Sequence, residues 1–160
     1  AHKADLLSEE GAALAKKLMT TLNKSARDCM VRFRTHACTD VTGFGMLGHL
    51  YEMAQGSGLT AELDTTAIDI IPEALSFAEL GVLPEGMYRN RSFVEEHVDA
   101  GNVPLAVQDV LYDPQTAGGL LMAVHPGDAD RLLDMLKENV PSAQRIGTLV
   151  KQREKRIILR

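Results

Sequence analysis

One acidic side chain, Asp40, stands directly before a glycine-punctuated stretch that could bind phosphate. The segment from Thr39 to His49 reads TDVTGFGMLGH, and apolar residues recur at helical spacing from Phe44 onward. We therefore expect a helix that begins near Gly43. The start of a helix carries unpaired backbone N–H groups and a partial positive charge, so it favours anions such as phosphate. Glycines at positions 43 and 45 would let such a ligand approach the backbone closely.

The chemistry that Asp40 could supply is magnesium coordination. In proteins Mg²⁺ takes one or two carboxylates and completes its coordination with phosphate oxygens and water. A carboxylate beside a phosphate-binding helix start suits that role. A structural alternative is that Asp40 or Thr42 only caps the helix and the glycines relieve crowding, as is common at helix starts. The residue types alone leave both interpretations open.

A second distinctive string, DPQTAGG, runs from Asp113 to Gly119 and leads into the apolar residues that end at Val124. The pattern indicates the end of a helix, a tight turn and a buried strand. The pair Gly118-Gly119 weakens strand propensity, so it indicates a bulge or the close approach of a ligand or another backbone. The alternative is a purely structural turn against a neighbouring helix.

Other candidate residues carry weaker signals. His49 has no second ligand or nucleophile nearby in sequence, so we expect it to be packed or solvated rather than catalytic. His36 and Cys38 could form a nucleophilic pair, but two alternating residues on one strand do not imply activation. The two cysteines, Cys29 and Cys38, form no zinc motif, and we expect both thiols to be reduced and buried.

Composition limits the function classes. The chain has 160 residues, 45% of them hydrophobic, which is enough for one domain with a core. Its net charge of −5 disfavours nucleic acid as a partner, and we expect the basic segment Lys151–Arg156 to be solvated. No apolar run approaches the roughly 20 residues of a membrane span, and the first residues lack the pattern of a signal peptide. We expect no membrane partner and a cytoplasmic location.

Periodicity predicts an alternation of helices and strands along the chain. Ser8 should cap a first helix in which Leu14, Leu18 and Leu22 form one buried stripe. Residues 29–38 are ambiguous between strand and helix, and residues 82–102 are expected to be a long irregular loop. The remaining predictions are a strand at 59–64, helices at 72–80, 104–112 and 128–139, a strand at 118–124, and two closing strands at 146–150 and 156–159 that could form a hairpin. This is one mixed α+β domain with helices packed on a sheet.

Both glycine-containing strings resemble the signatures of the selenophosphate synthetases, a family related to aminoimidazole ribonucleotide synthetase. In that family Leu is more usual at the place of Met46, and DPQTSGG places Ser where this chain has Ala117. The segment Leu83–Asn90 also resembles the family's Pro-x-Gly loop that ends in Asn. The resemblance spans about Thr39 to Leu121, and it leaves the role of the turn from Asp113 to Gly119 unassigned.

The resemblance implies a three-layer α/β/α fold with a mixed sheet and an ATP-dependent chemistry. These synthetases make selenophosphate, AMP and orthophosphate from ATP, selenide and water. The residue carried over as the Mg²⁺ ligand is Asp40, which would hold the ion that bridges the ATP phosphates. Thr42, Gly43 and Gly45 would bind the cofactor, and no catalytic residue is carried over.

The resemblance also implies that residues 1–160 are one C-terminal domain. The reactive Cys or selenocysteine, a lysine, a glycine-rich loop and further aspartates belong to an N-terminal domain in this family. We expect the chain alone to be folded and inactive, and to be monomeric or weakly associated because the family's homodimer interface lies mainly in the N-terminal domain. The missing contact should leave an apolar face exposed on this chain. The alternatives are a non-catalytic binding module and another enzyme of the superfamily, such as a thiamine-phosphate kinase or a hydrogenase maturation protein. The paired strings argue against these relatives.

Overall fold

Seven α-helices and six β-strands make up the described part of the chain, residues 7–160 of a computed structural model. The predicted α+β class is confirmed. In chain order the helices are α1 Glu9–Thr20, α2 Lys24–Met30, α3 Gly45–Ser57, α4 Pro72–Glu79, α5 Glu85–Val94, α6 Leu105–Tyr112 and α7 Pro126–Asn139. The strands are β1 Thr35–Asp40, β2 Leu59–Leu63, β3 Val98–Asp99, β4 Leu120–Val124, β5 Gly147–Lys151 and β6 Ile157–Leu159. None of the described helices is long and apolar enough to cross a bilayer.

The strands form two separate sheets. β1 and β4 pair antiparallel, and the other sheet has the order β3-β6-β2-β5. In this second sheet β6 runs parallel to both β2 and β3, whereas β5 runs antiparallel to β2. The sheet is therefore mixed, as predicted.

The predicted hairpin of the two closing strands is wrong, because β2 lies between β5 and β6. All three residues of β6 are buried, which suits an interior strand, while β5 is half exposed and forms an edge. The basic connection crosses the start of β2, where the buried Thr60 hydroxyl donates to Lys155 O and accepts from Arg153 N, each at 2.8 Å. The alternation of apolar and polar residues within β5 and β6 does not reveal that β2 lies between these two strands.

Two apolar cores hold these layers together. The larger core surrounds α3, whose Leu47 and Leu50 pack with residues of β2 and β6 such as Leu63 and Ile157. The smaller core joins α2 to α7 through Ala26, Cys29, Leu132 and Leu136. The amphipathic pattern of α7 predicts Leu132, Leu133 and Leu136 on its inward face; Leu132 and Leu136 are buried in this core, whereas Leu133 is only half-buried and lies outside it. The ambiguous segment 29–38 divides in two, since α2 ends at Met30 and β1 begins at Thr35.

The irregular loop predicted for residues 82–102 is wrong, because α5 occupies Glu85–Val94. Its buried face consists of Met87, Asn90 and Val94, at helical spacing. Only two of these three residues are apolar, and the helix begins after Pro84 and includes Gly86. Pattern analysis therefore found too weak a stripe for a helix.

Helix α1 is present but its leucine stripe is not buried, so that prediction is wrong. The Ser8 side chain accepts a hydrogen bond from Gly11 N at 2.9 Å, which is the predicted cap. Leu14, Leu18 and Leu22 are nevertheless 41%, 44% and 79% exposed. Periodicity shows that a helix has an apolar face, but it does not show what covers that face.

The same substitution in the two leucine environments tests this difference. Leu132→Ala should lower the free energy of unfolding by about 2–5 kcal/mol, because it leaves a cavity between α2 and α7. Leu18→Ala should lower it by less than about 1 kcal/mol, because that side chain is already partly in water. Urea denaturation of the two variants and the wild type measures both values. A loss at Leu18 as large as that at Leu132 would mean that the face of α1 is packed in solution.

Candidate functional site

Asp40 is the last residue of β1, and its side chain is exposed at the end of the strand. The strand alternates between half-buried and exposed residues, so His36, Cys38 and Asp40 share the outward positions. Strand β4 fixes this place, since Asp40 pairs in register with Leu120. The carboxylate is thus held by the backbone of a two-stranded ladder and is open to a ligand.

Neither Asp40 nor Thr42 caps α3. The helix begins at Gly45, two residues later than predicted, and the residue before it, Phe44, makes no side-chain cap hydrogen bond. The Thr42 hydroxyl instead lies 3.2 Å from His49 Nε2. The Thr42 carbonyl accepts a hydrogen bond from Gly45 N at 3.0 Å, which closes a turn just before the helix. The structural alternative from the sequence, a simple side-chain cap, is therefore not what this segment forms.

The two glycines of the segment have different surroundings. Gly45 has a φ of +70°, and a Cβ atom there would lie 2.7 Å from the carbonyl oxygen of Tyr112, so this position is packed against backbone. Gly43 is exposed, and a Cβ atom there would meet nothing within 4 Å. Of the two, Gly43 leaves room for a ligand, whereas Gly45 lets α3 and the end of α6 approach each other.

The DPQTAGG turn clasps the Asp40 segment through backbone hydrogen bonds. Val41 N donates to Gly119 O at 2.9 Å, Gly118 N donates to Val41 O at 3.0 Å, and Gln115 N donates to Thr42 O at 3.0 Å. A Cβ atom on Gly118 would lie 2.4 Å from Val41 O, so glycine is required for this approach. Of the two explanations considered for this glycine, the close approach of another backbone is the one observed.

Asn90, on α5, was missed as a site residue by sequence reasoning. Its amide Nδ2 donates to the carbonyl oxygens of Gly43 and Tyr112, each at 2.9 Å, and the residue is 7% exposed. A signal was available, because the segment that resembles the family's Pro-x-Gly loop ends in this asparagine. Beside it opens a cleft of about 540 Å³, lined by Gly43, Phe44, Gly86, Arg89, Asn90, Phe93 and Pro114.

The histidines and cysteines near the site do not form a nucleophilic centre. His49 is packed, as expected, with Nδ1 lying 3.3 Å from Glu52 Oε2. Cys29 is buried as expected, but Cys38 is exposed, so the expectation of two buried thiols is wrong for Cys38. Partial burial and the neighbouring charge of Asp40 raise the pKa of the Cys38 thiol, which opposes activation. The ring of His36 lies near that of His125, with centroids 6.2 Å apart.

A metal ion would find one carboxylate here. In residues 7–160 no group of three or more His, Cys, Asp or Glu side chains is arranged to hold a metal. Mg²⁺ binds through one or two protein carboxylates with phosphate oxygens and water as its other ligands. The exposed Asp40 beside the open space at Gly43 fits that partial role and no larger one.

Asp113 is the titratable group of the turn that departs most from its ordinary behaviour. Burial raises its pKa to about 6. The partner of its carboxylate is weak, because Gln115 Nε2 lies 3.4 Å from Oδ2. The carboxyl group is therefore half-buried, and its pKa of about 6 lies close to neutral pH.

In this α+β domain two glycine-containing segments contact each other next to one exposed carboxylate. Known proteins are similar to it. The family model described as AIR synthase related protein, C-terminal domain, matches residues 1–160. The chain belongs to this family. The resemblance deduced from the two strings is thereby confirmed at the level of the family.

Curated relatives and solved structures agree with this assignment. The chain is 45% identical over 160 residues to a selenide, water dikinase of Treponema denticola, covering 97% of this chain and 45% of that protein. It is 41% identical over 161 residues to one of Clostridium botulinum strain Eklund 17B, covering 100% of this chain and 47% of that protein. The chain thus spans about half the length of these relatives. A crystal structure of the hydrogenase maturation protein HypE aligns with a TM-score of 0.53 at 21% identity, covering 84% of this chain and 35% of that chain, which supports the fold.

The different roles of the two glycines predict different costs of substitution. Gly45→Ala should lower the free energy of unfolding by more than about 2 kcal/mol, because it places a Cβ atom at a left-handed φ and against Tyr112 O. Gly43→Ala should change it by about 0.5 kcal/mol or less, since the added atom meets open space. Equal losses in thermal or urea denaturation would contradict the assignment of separate roles.

Asp113 should make stability depend on pH with a defined sign. Its pKa is about 3.9 in an unfolded chain and about 6 when folded, so between these values the folded state binds more protons. Stability is therefore lost as pH rises from 4 to above 6. Asp113→Asn, which cannot ionise, should be more stable than the wild type at pH 7 and equal to it at pH 4.

Asp64→Asn is the matched control for this titration. Hydrogen bonds from Thr66 lower the pKa of Asp64, so that carboxylate contributes stability above about pH 4 and loses it as pH falls. The Asp64 variant should consequently lose stability relative to the wild type as pH rises from 3 to 7. Parallel pH profiles for wild type and Asp113→Asn would refute the raised pKa of Asp113.

Proposed function

We propose that this chain is the C-terminal domain of a selenophosphate synthetase, which makes selenophosphate, AMP and orthophosphate from ATP, selenide and water. The support is the name shared by the relatives, selenide, water dikinase, at 45% and 41% identity across nearly the whole chain. The two strings from Thr39 to His49 and from Asp113 to Gly119 carry the same resemblance independently. In residues 7–160 the two strings are in direct backbone contact, as parts of one site should be.

The observation that carries the proposed role of the domain is the position of Asp40. Its carboxylate is exposed at the end of β1, three residues before the open space at Gly43. This arrangement suits a residue that supplies one oxygen ligand to a Mg²⁺ ion bound to the phosphates of ATP. The bound ion would neutralise phosphate charge, and the part of this chain is to place one ligand for it.

Thr42, Gly43 and Gly45 have separate parts in the proposed cofactor site. Gly43 lets a phosphate come close to the backbone at the start of α3, where N–H groups lack partners within the helix. Thr42 is anchored to His49 and turns the chain between Asp40 and the helix. Gly45 lets α3 lie against Tyr112, which fixes the direction of the helix start.

The remaining chemistry must come from outside these residues. Phosphoryl transfer depends on clustered metal ions and positioned charges, and one exposed carboxylate does not provide them. The relatives are about twice as long as this chain. We therefore assign the nucleophile, the further Mg²⁺ ligands and the homodimer contacts to an N-terminal domain, with ATP and selenide bound by the whole protein.

Replacement of Asp40 tests this function in the full-length synthetase that the proposal requires. Asp40→Asn should lower the rate of ATP-dependent AMP formation at least about 100-fold, because a neutral amide is a poor Mg²⁺ ligand. The unfolding temperature should not change, since the carboxylate makes no contact that supports the fold. Chromatographic measurement of AMP, with and without selenide, gives the rate.

Asp69→Asn is the matched control, because Asp69 is an exposed carboxylate outside both signature segments. This variant should keep the full rate. Equal activity of the Asp40 and Asp69 variants would refute the proposed metal role, and AMP formation by residues 1–160 alone would refute the division of the active site between two domains.

A further inference from the structure

Asn90 stands at the meeting point of three segments that are distant in sequence. It lies on α5, and its Nδ2 reaches the carbonyl oxygen of Gly43, 47 residues away, and that of Tyr112, 22 residues away. Gly43 belongs to the segment that follows Asp40, and Tyr112 immediately precedes the DPQTAGG turn. A single side-chain amide thereby joins both signature segments to a third element.

Neither carbonyl group has a backbone partner in a regular helix or strand. Tyr112 ends α6, and the last carbonyl groups of a helix have no partner within it. Gly43 lies just before the start of α3, in a segment without helical or ladder hydrogen bonds of its own. For the buried Tyr112 carbonyl the absence of a partner would be costly, whereas for the exposed Gly43 the amide acts as an anchor. The two N–H groups of one amide can serve both.

The face of α5 that carries Asn90 is shaped for this contact. Gly86, one turn earlier on the same face, is so close to Pro114 that a Cβ atom on it would lie 2.9 Å from the proline Cγ. Asn90 lies one turn later and donates to Tyr112 O. A Cβ atom placed on Gly45 would lie 2.7 Å from the same oxygen. Helix α5 therefore contacts the turn at Pro114 and the end of α6 at Tyr112.

We propose that Asn90 is a positioning residue of the candidate site, an inference that rests on the proposed function for the identity of the ligand. By holding the Gly43 carbonyl, Asn90 fixes the peptide between Gly43 and Phe44 and with it the direction of the N–H groups at the start of α3. The backbone clasp holds Val41 and Thr42, whereas Asn90 extends the same support to Gly43. The site then consists of three segments, with α5 as the third.

The test compares Asn90→Ala and Asn90→Ser with Leu132→Ala, in the 160-residue chain. Leu132 lies in the core between α2 and α7, which reaches β4 but does not include Asn90, Gly43 or Tyr112, so its variant is destabilised with both Asn90 hydrogen bonds in place. Amide hydrogen exchange by NMR should become at least about tenfold faster at Gly45, whose N–H donates to Thr42 O, in Asn90→Ala than in Leu132→Ala, because a local restraint is lost. Asn90→Ser keeps one donor and should lie between the wild type and Asn90→Ala.

A second readout separates positioning from general stability. Mn²⁺ with ATP, added as a paramagnetic probe, should broaden the amide signals from Asp40 to Gly45 in the wild type and in Leu132→Ala at the same concentrations. Asn90→Ala should need at least about a tenfold higher concentration for equal broadening, because its N–H groups no longer converge on the phosphates. Equal concentrations for the Asn90 and Leu132 variants would reduce Asn90 to a structural residue and overturn the inference.

The outcomes for Asn90 and for the proposed function are distinguishable. Absence of broadening near Asp40 in the wild type would count against the phosphate and metal site, while hydrogen exchange would still decide whether Asn90 holds Gly43. Exchange at Gly45 that is no faster in Asn90→Ala than in Leu132→Ala would overturn the inference whatever the probe shows. If Asn90→Ala does not fold, Asn90→Ser is judged by the same two measurements.

Discussion

The site depends on one close approach of two backbone segments, the contact of Val41 and Thr42 with the turn that ends at Gly119. Three backbone hydrogen bonds make this contact, and the absence of a Cβ atom on Gly118 permits it, because such an atom would lie 2.4 Å from Val41 O. The contact extends the β1–β4 ladder beyond its last regular pair and so sets where the chain leaves the sheet. Asp40 stands at that exit, and its exposure follows from this constraint.

Glycine serves two physical purposes in this region, and motif comparison alone does not separate them. Gly45 and Gly118 lie where two backbone segments touch, so the absence of a Cβ atom at these positions supports the fold. Gly43 borders open space and contributes room instead. A phosphate-binding segment needs both kinds, because the N–H groups must be fixed in direction by packing and yet remain accessible to an anion. The distribution of crowded and open glycines therefore supports the proposed site more specifically than their number does.

The sequence was sufficient for the family and for most of the helices and strands, because these depend on local pattern. The α3 and α7 helices have apolar faces at regular spacing, and the strand after Gly118-Gly119 is a continuous apolar run. The errors concern relations that span the chain. The order β5-β2-β6 depends on which strand is buried on both sides, the exposure of Leu18 depends on what covers α1, and α5 was hidden because its buried face includes Asn90. Such features arise from tertiary partners and have no local period.

The exposure of the carboxylate limits what this domain can do by itself. A lone Asp in water loses little by releasing a metal ion, and Mg²⁺ gives up its water reluctantly unless several anionic ligands meet at once. Affinity for Mg²⁺ should therefore be weak when only Asp40 and the phosphate oxygens of ATP are present, and it should rise when further carboxylates join them. The exposed aromatic rings of Phe44 and Phe93 lie 6.0 Å apart, and both line the cleft beside Gly43, so apolar surface adjoins the segment that follows Asp40. Under the proposed function, contact with the N-terminal domain on this surface would bring the missing ligands and exclude water in the same step. This explains how a weak half-site can belong to an effective enzyme.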